Sequence, residues 1–197
     1  MIPKNIFTIW ISDKELPKKY EDWCKTHKLS GYNNQYITLS DCSKIKSKYL
    51  KESIKSKQWI KVTDYLRIYI LYTKGGIYLD CDMEVIKPFS DLLNNNMFVG
   101  REDEHIISNS IIGAEKGHRL LKKYLDLVEI NFRGGGDMIF EPAERLFTDL
   151  ILGKYGKLGG VTTYSAEYFF PKDEKTQKEE ITKNTYTYHH FQRSWKK

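Results

Sequence analysis

The 197-residue chain reads as an α/β protein with a mixed sheet. Three observations carry that reading. Short β-branched and aromatic runs alternate with helical patterns, a long helix passes through Gly75-Gly76 directly into a buried-strand pattern, and 40% hydrophobic with 14% aromatic residues is ample for a packed core. The length fits one domain, residues 1–197.

Taken in order, KNIFTIWI (4–11) is β-branched and aromatic and stops at Ser12-Asp13, which predicts the first strand. Pro17 suits a first helical turn and opens a helix over KKYEDWCKTHK. QYITL (35–39) is the second strand, and a lysine-rich helix with a solvated face follows over 41–57. WIKVTDYLRIYILYTK (59–74) spreads apolar residues widely enough for a mostly buried helix. Gly75 and Gly76 are expected to end it in a left-handed cap, before the short buried strand IYLD. MFVGR (97–101) and IISNSIIGA (106–114) predict further strands, GHRLLKKYLDLVEI and PAERLFTDLIL helices, and VTTY and TYTYHH late strands. No repeat, linker or low-complexity segment interrupts the pattern.

Charge and cysteine content narrow the function. Thirty-two Lys+Arg against 26 Asp+Glu leave a formal charge of +6, which favours anionic partners such as phosphates or lipid headgroups. Cys24, Cys42 and Cys81 are odd in number and lack C-x-x-C spacing, so neither a disulfide framework nor a zinc knuckle is expected, and a reducing compartment fits. The first residues lack a basic segment followed by a long apolar stretch, so secretion by that route and a membrane span are not expected. The expectation is a cytoplasmic protein.

GGIYLDCD (75–82) carries a buried-strand pattern into two carboxylates, Asp80 and Asp82. Open α/β folds place ligands at the carboxyl edge of the sheet, and residues i and i+2 share a strand face. Both carboxylates can therefore address one divalent cation, which with phosphate oxygens offsets the cost of burying them. Alone, D-x-D is better read as a surface turn with two solvated aspartates, and the preceding helix is what favours the metal reading. One helix earlier, Asp64 and Arg67 stand at i and i+3, either as an ordinary ion pair or as a joint grip on a polyhydroxyl ligand. Asn109 breaks an apolar strand with an amide that needs a partner, either a sugar or a backbone turn.

Residues 63–82, TDYLRIYILYTKGGIYLDCD, resemble the central signature of the DXD-containing sugar transferase family, S/T-D-x-x-R followed by L-Y-x-x-G-G-x-Y-x-D-x-D. That family includes fungal initiating mannosyltransferases, bacterial capsule and lipopolysaccharide transferases, and the clostridial glucosylating toxins. IPKNIFTIW resembles the family's opening and HHFQRSW (189–195) its close, so the resemblance spans nearly the whole chain. Phe7 departs from it, standing where many members have histidine.

The resemblance implies a GT-A fold, a nucleotide-sugar donor and Mn2+ or Mg2+. A UDP-sugar is favoured and a GDP-sugar is the alternative. It implies a saccharide or lipid-linked saccharide acceptor of polysaccharide or capsule biosynthesis, and retention at the sugar carbon. Asp82 is then a direct metal ligand, Asp80 a ligand or a ribose contact through water, and His189 the third ligand, ahead of His190. Asp64 and Arg67 become donor-sugar contacts, with Arg67 also near the diphosphate. Trp10 becomes a platform for the base, with a core tryptophan as the alternative, and Tyr78 lies near the nucleotide or packs the core. Ser194 and Trp195 fall in a segment resembling the closing loop over the diphosphate. Apart from the resemblance, the glycine run RGGGD (133–137) is expected to form a mobile loop from which Asp137 could approach the acceptor, and Asp137 or Glu104 would supply proton chemistry if the enzyme inverted.

Two other readings compete. Haloacid-dehalogenase-like phosphatases also end a buried strand in D-x-D, but Glu84 stands where they need Thr or Val, and their motif opens the fold rather than lying mid-chain. A basic nucleic-acid-binding module would use the lysines of 44–61, yet no recognition motif accompanies the charge, and no nucleic acid partner is expected. The same lysines suit peripheral contact with an anionic inner membrane face.

Overall fold

The computed structural model describes residues 1–132, 143–156, 158–173 and 176–192. In chain order its elements begin with β1 (Asn5–Ile9), α1 (Lys18–Thr26), β2 (Asn33–Ile37), a 3-10 helix (Leu39–Lys44), α2 (Lys48–Lys55) and α3 (Trp59–Lys74). There follow β3 (Gly76–Leu79), β4 (Met83–Val85), a short 3-10 turn (Ser90–Leu92), β5 (Met97–Arg101), β6 (Ile107–Ala114) and α4 (Arg119–Asn131). The chain continues through α5 (Ala143–Ile151), β7 (Val161–Tyr164), α6 (Ala166–Phe169) and β8 (Thr187–His189).

Six strands form one mixed sheet in the order β2-β1-β3-β6-β5-β7, and β4 pairs with β8 in a separate two-stranded sheet. β1 runs parallel to both β2 and β3, whereas β6 runs antiparallel to β3 and β5. The carboxyl ends of β1, β2 and β3 therefore meet the amino end of β6 at one rim. The Asp80 N–H closes that rim by donating to the Ser110 carbonyl at 2.9 Å.

Both faces of the sheet are covered. Tyr78 and Ile112 join the core shared with α3 and α4, while Ile77, Leu79 and Ile111 join the second core with Phe89, Phe98 and Phe169. This explains why β3 reads as a continuous apolar run rather than an alternation. α3 is buried through Val62, Tyr65, Leu66, Ile68, Ile70 and Leu71, and one charged side chain, Arg67, is buried with them. Phe7 is fully buried in the first core, which accounts for an apolar side chain at this position.

Several boundaries differ from the sequence expectations. The lysine-rich stretch is not one helix: it breaks after Lys44, and Ser47 starts α2 by accepting the Leu50 N–H at 2.9 Å. The second strand begins at Asn33, two residues early, and ends at Ile37, because Thr38 caps the 3-10 helix through Asp41. β4 and α6 had no counterpart in the sequence reading, being three and four residues long. Gly75 ends α3, but not in a left-handed helical cap: its φ of 69° comes with an extended ψ of 159°. Gly76 follows at φ 135°, where a Cβ would lie 2.7 Å from the Asn5 carbonyl oxygen, so the helix-to-strand turn against β1 admits only glycine.

Candidate active site

The rim gathers two linked groups of polar side chains. The first is centred on Arg67, projected from α3 with its side chain only 8% exposed. Its guanidinium lies 3.1 Å from an Asp64 oxygen and 3.4 Å from Asp80 Oδ1. It also donates to the Asn109 carbonyl at 2.8 Å and to its Oδ1 at 3.0 Å. The Asn109 amide turns its N–H toward Asp64 Oδ1 at 3.3 Å. The Tyr78 hydroxyl donates to Asp80 Oδ1, and its ring lies 4.7 Å from the guanidinium carbon. A single buried cation thus orients Asp64, Asp80 and Asn109 together.

Electrostatics follow from burial. Removal from water raises the Asp64 carboxyl above its ordinary range, with Arg67 working against the rise. Burial alone would lower the Arg67 guanidinium, but the charge of Asp80, with help from Tyr78 and Asp64, more than reverses this. Tyr78 is pushed well up by burial, and the Tyr78 ring belongs to the core rather than to an open surface.

The second group surrounds Asp82. His189 Nε2 lies 3.2 Å from Asp82 Oδ1, and the Gln192 backbone N–H donates to Oδ2 at 2.9 Å. The His190 N–H donates to the Asp82 carbonyl at 3.0 Å, so the segment after β8 is stitched to the D-x-D turn. Burial opposes charge on both partners, yet their mutual hydrogen bond and attraction win: Asp82 is lowered and His189 raised. His190 points elsewhere, as strand alternation requires, meeting Glu84 at 3.0 Å and stacking on Trp23 at 3.9 Å.

One oxygen of Asp80, one of Asp82 and one nitrogen of His189 all lie within 4.8 Å of one another. Two carboxylates and an imidazole form a donor set suited to Mn2+ or Mg2+, with Mn2+ better matched to the nitrogen. Among the described residues, Nδ1 of His189 is buried without a partner, and Nε2 is the ring nitrogen that faces the carboxylates. The residues present therefore fit a divalent ion.

The remaining expected positions are distributed as follows. Trp10 is half-buried at the carboxyl end of β1, donating its Nε1–H to the Lys14 carbonyl at 2.9 Å and tilted against Tyr20. Glu104 is exposed in the β5–β6 connection, with its carbonyl accepting from Arg101 at 3.2 Å. Asp137 with its glycine run, Ser194 and Trp195 lie outside the described residues.

The structure adds residues that sequence reasoning missed. His27, 2% exposed, is held at 2.8 Å by Thr8 of β1 and at 2.7 Å by the Met83 carbonyl immediately after Asp82. A carbonyl only accepts, so Nε2 carries the proton and Nδ1 accepts from the Thr8 hydroxyl. Gln192 reaches Asp82 through its backbone N–H. No side-chain signal marks either role.

Comparison with known proteins agrees with this geometry. Residues 12–99 match the family described as glycosyltransferase sugar-binding region containing DXD motif. Inositol phosphoceramide mannosyltransferase 3 of Schizosaccharomyces pombe is 40% identical over 62 residues, which is 32% of this chain and 17% of that protein. An uncharacterized glycosyltransferase of Acanthamoeba polyphaga mimivirus is 25% identical over 185 residues, covering 87% of this chain and 74% of that one. The chain thus spans about a sixth of the first relative's length and most of the second's. Among solved structures, the PaToxG glycosyltransferase superposes with a TM-score of 0.64 at 23% identity, over 78% of this chain and 70% of that one. The fold is accordingly that of glycosyltransferases, which displaces the phosphatase reading of the D-x-D. With its T-D-x-x-R helix and D-x-D turn on one sheet rim, the chain is similar to the DXD-containing sugar transferases over residues 12–99 and has the GT-A fold.

Proposed function

We propose that the protein transfers a hexose from a nucleotide-sugar to a hydroxyl of a saccharide or glycolipid acceptor, with a divalent ion bound at Asp80, Asp82 and His189. The observation that carries this reading is the convergence of those three side chains within 4.8 Å at the carboxyl rim of the sheet. When bound, Mn2+ or Mg2+ would neutralise charge developing on the departing diphosphate. The protein's own groups do the rest. Arg67 holds Asp64 and Asn109 as acceptors and a donor for sugar hydroxyls, and Tyr78 and Arg67 together fix the orientation of Asp80. The Gln192 N–H and His189 hold Asp82 in place. Trp10, half-buried at the end of β1, offers its indole face to a base.

A UDP-sugar is the favoured donor and a GDP-sugar the alternative. Two relatives named for ceramide-linked substrates support a glycolipid acceptor: the S. pombe enzyme, and lactosylceramide 4-alpha-galactosyltransferase of Mus musculus, which is 28% identical over 116 residues. Retention at the sugar carbon, which the family resemblance implies, is read as front-face attack with the departing phosphate taking the acceptor proton; double displacement through a carboxylate is the alternative route to retention. Ser194 and Trp195 are assigned to closure over the diphosphate and Asp137 to the acceptor side.

A panel of UDP- and GDP-sugars, scored by donor hydrolysis with Mn2+, with Mg2+ and with chelator, tests the proposal without knowledge of the acceptor. At least one donor is expected to turn over with metal and to stop with chelator. Metal-independent turnover, or none with any donor while UDP and GDP also fail to bind, would refute it.

A further inference from the structure

Away from the D-x-D turn, the segment between β2 and α3 combines charge with an apolar recess. Residues 39–58 carry six lysines against Asp41 and Glu52, so four of the chain's six net positive charges lie in a tenth of its length. Lys44, Lys46, Lys48, Lys51 and Lys55 are exposed, while Lys57 is held 3.0 Å from Asp13. On α2, Lys48, Lys51 and Lys55 are spaced three and four apart and share one helix face.

A run of lysines alone is ordinarily a solvated face. Here a cavity of about 260 Å³ opens among them, between the 3-10 helix and α2, lined by Leu39, Ile45, Leu50 and Ile54 with Lys51 at its edge. Leu39 is 45% exposed and Ile60, just beyond, 49%. Cations around an apolar recess match a lipid headgroup and its chain. They match a nucleic acid poorly, because single-stranded binders interleave exposed aromatic platforms, and Tyr49 of this segment is buried.

Topology places this patch beside the site described above. β2 pairs in parallel with β1, Ile37 opposite Ile9, and the 3-10 helix starts two residues later. β3 is likewise parallel to β1, Thr8 opposite Leu79, so Asp80 leaves the sheet at the same rim. We infer that residues 39–57 form a docking surface for an anionic phospholipid bilayer, with the lysines on headgroup phosphates and the recess taking an apolar segment of one lipid. The donor-site rim would then face the interface where a lipid-linked acceptor is presented; that consequence, unlike the docking, rests on the transferase reading.

Co-sedimentation with vesicles at about 0.1 M salt tests the docking independently of turnover. The protein is expected to sediment with vesicles of phosphatidylcholine and phosphatidylserine and not with phosphatidylcholine alone. The triple variant Lys48→Gln, Lys51→Gln, Lys55→Gln should bind anionic vesicles about a hundredfold more weakly, each headgroup contact being a factor of about five. Leu39→Ala, with all lysines retained, should lose about fivefold. Unchanged melting temperature and donor hydrolysis in these variants separate a docking defect from a folding or catalytic one. Absence of wild-type sedimentation, equal sedimentation of wild type and triple variant, or preferential binding of RNA unaffected by Leu39→Ala would each overturn the proposal. A catalytically silent protein that still sediments would leave docking standing and count against the transferase reading alone.

Discussion

Arg67 is a buried cation whose partners are two carboxylates and an amide, and the consequences of removing it follow from that. Arg67→Ala leaves the Asp64 carboxylate, 13% exposed, without its cation and beside the partly exposed Asp80, so a loss of roughly 3 kcal/mol in urea unfolding is expected. An unfolding midpoint close to wild type would show that the guanidinium does not hold this group together. Asp82→Asn is the complementary substitution, nearly equal in volume and still able to accept from the Gln192 N–H. It is expected to reduce metal-dependent donor turnover roughly a hundredfold or more while leaving the melting temperature within a few degrees. Turnover near wild type would remove Asp82 from the ligand set. These residues were legible before the fold was known because D-x-x-R and D-x-D place paired polar groups where an apolar pattern forbids isolated ones. His189 was distinguishable from His190 only through the alternation of a three-residue strand that sequence pattern alone delimits poorly.

Two junctions between elements hold the rim in place. His27, at the end of α1, ties β1 to β4 through Thr8 and the Met83 carbonyl, and burial pulls its imidazole down to about 4. It is therefore neutral in the folded chain and binds a proton in the unfolded chain below the ordinary histidine value of 6.5. Its contribution is fully present above pH 6.5 and is lost as pH falls toward 4, by at most roughly 3 kcal/mol. A stability profile over that window should be steeper for wild type than for His27→Gln; identical slopes would place the acid sensitivity elsewhere. At the other junction, Gly76→Ala forces a Cβ to 2.7 Å from the Asn5 carbonyl at φ 135°. A loss exceeding about 2 kcal/mol is expected from chemical unfolding, and a neutral result would mean that β1 and β3 can separate without cost. The glycine pair was visible in the sequence, but its geometry was not: a left-handed cap and this extended turn both admit glycine.

At the level of the whole molecule, α3 and α4 were readable because sixteen and thirteen residues carry a consistent helical period, and the strands because β-branched and aromatic runs mark them. β4 and α6, three and four residues long, were not: neither MEV nor AEYF carries the run of β-branched residues that marked the equally short VTTY. The break inside the lysine-rich stretch depends on capping by Ser47 and Asp41, which a count of charges obscures. The return of the chain after β8 to Asp82 joins positions 110 residues apart, and its hydrogen bond uses only a backbone N–H. That backbone contact leaves no local trace, unlike His189, which the sequence already pointed to. It also means that the D-x-D turn and the segment following β8 form one unit, through which metal and nucleotide are expected to bind cooperatively. Titration calorimetry of UDP and GDP into the protein, with Mn2+ or Mg2+ and again with chelator, reads that coupling. At least one nucleotide should bind tightly only with the ion present, and Asp82→Asn should abolish the dependence. Equal affinity with ion and with chelator, in folded protein, would contradict a cation held by Asp80, Asp82 and His189.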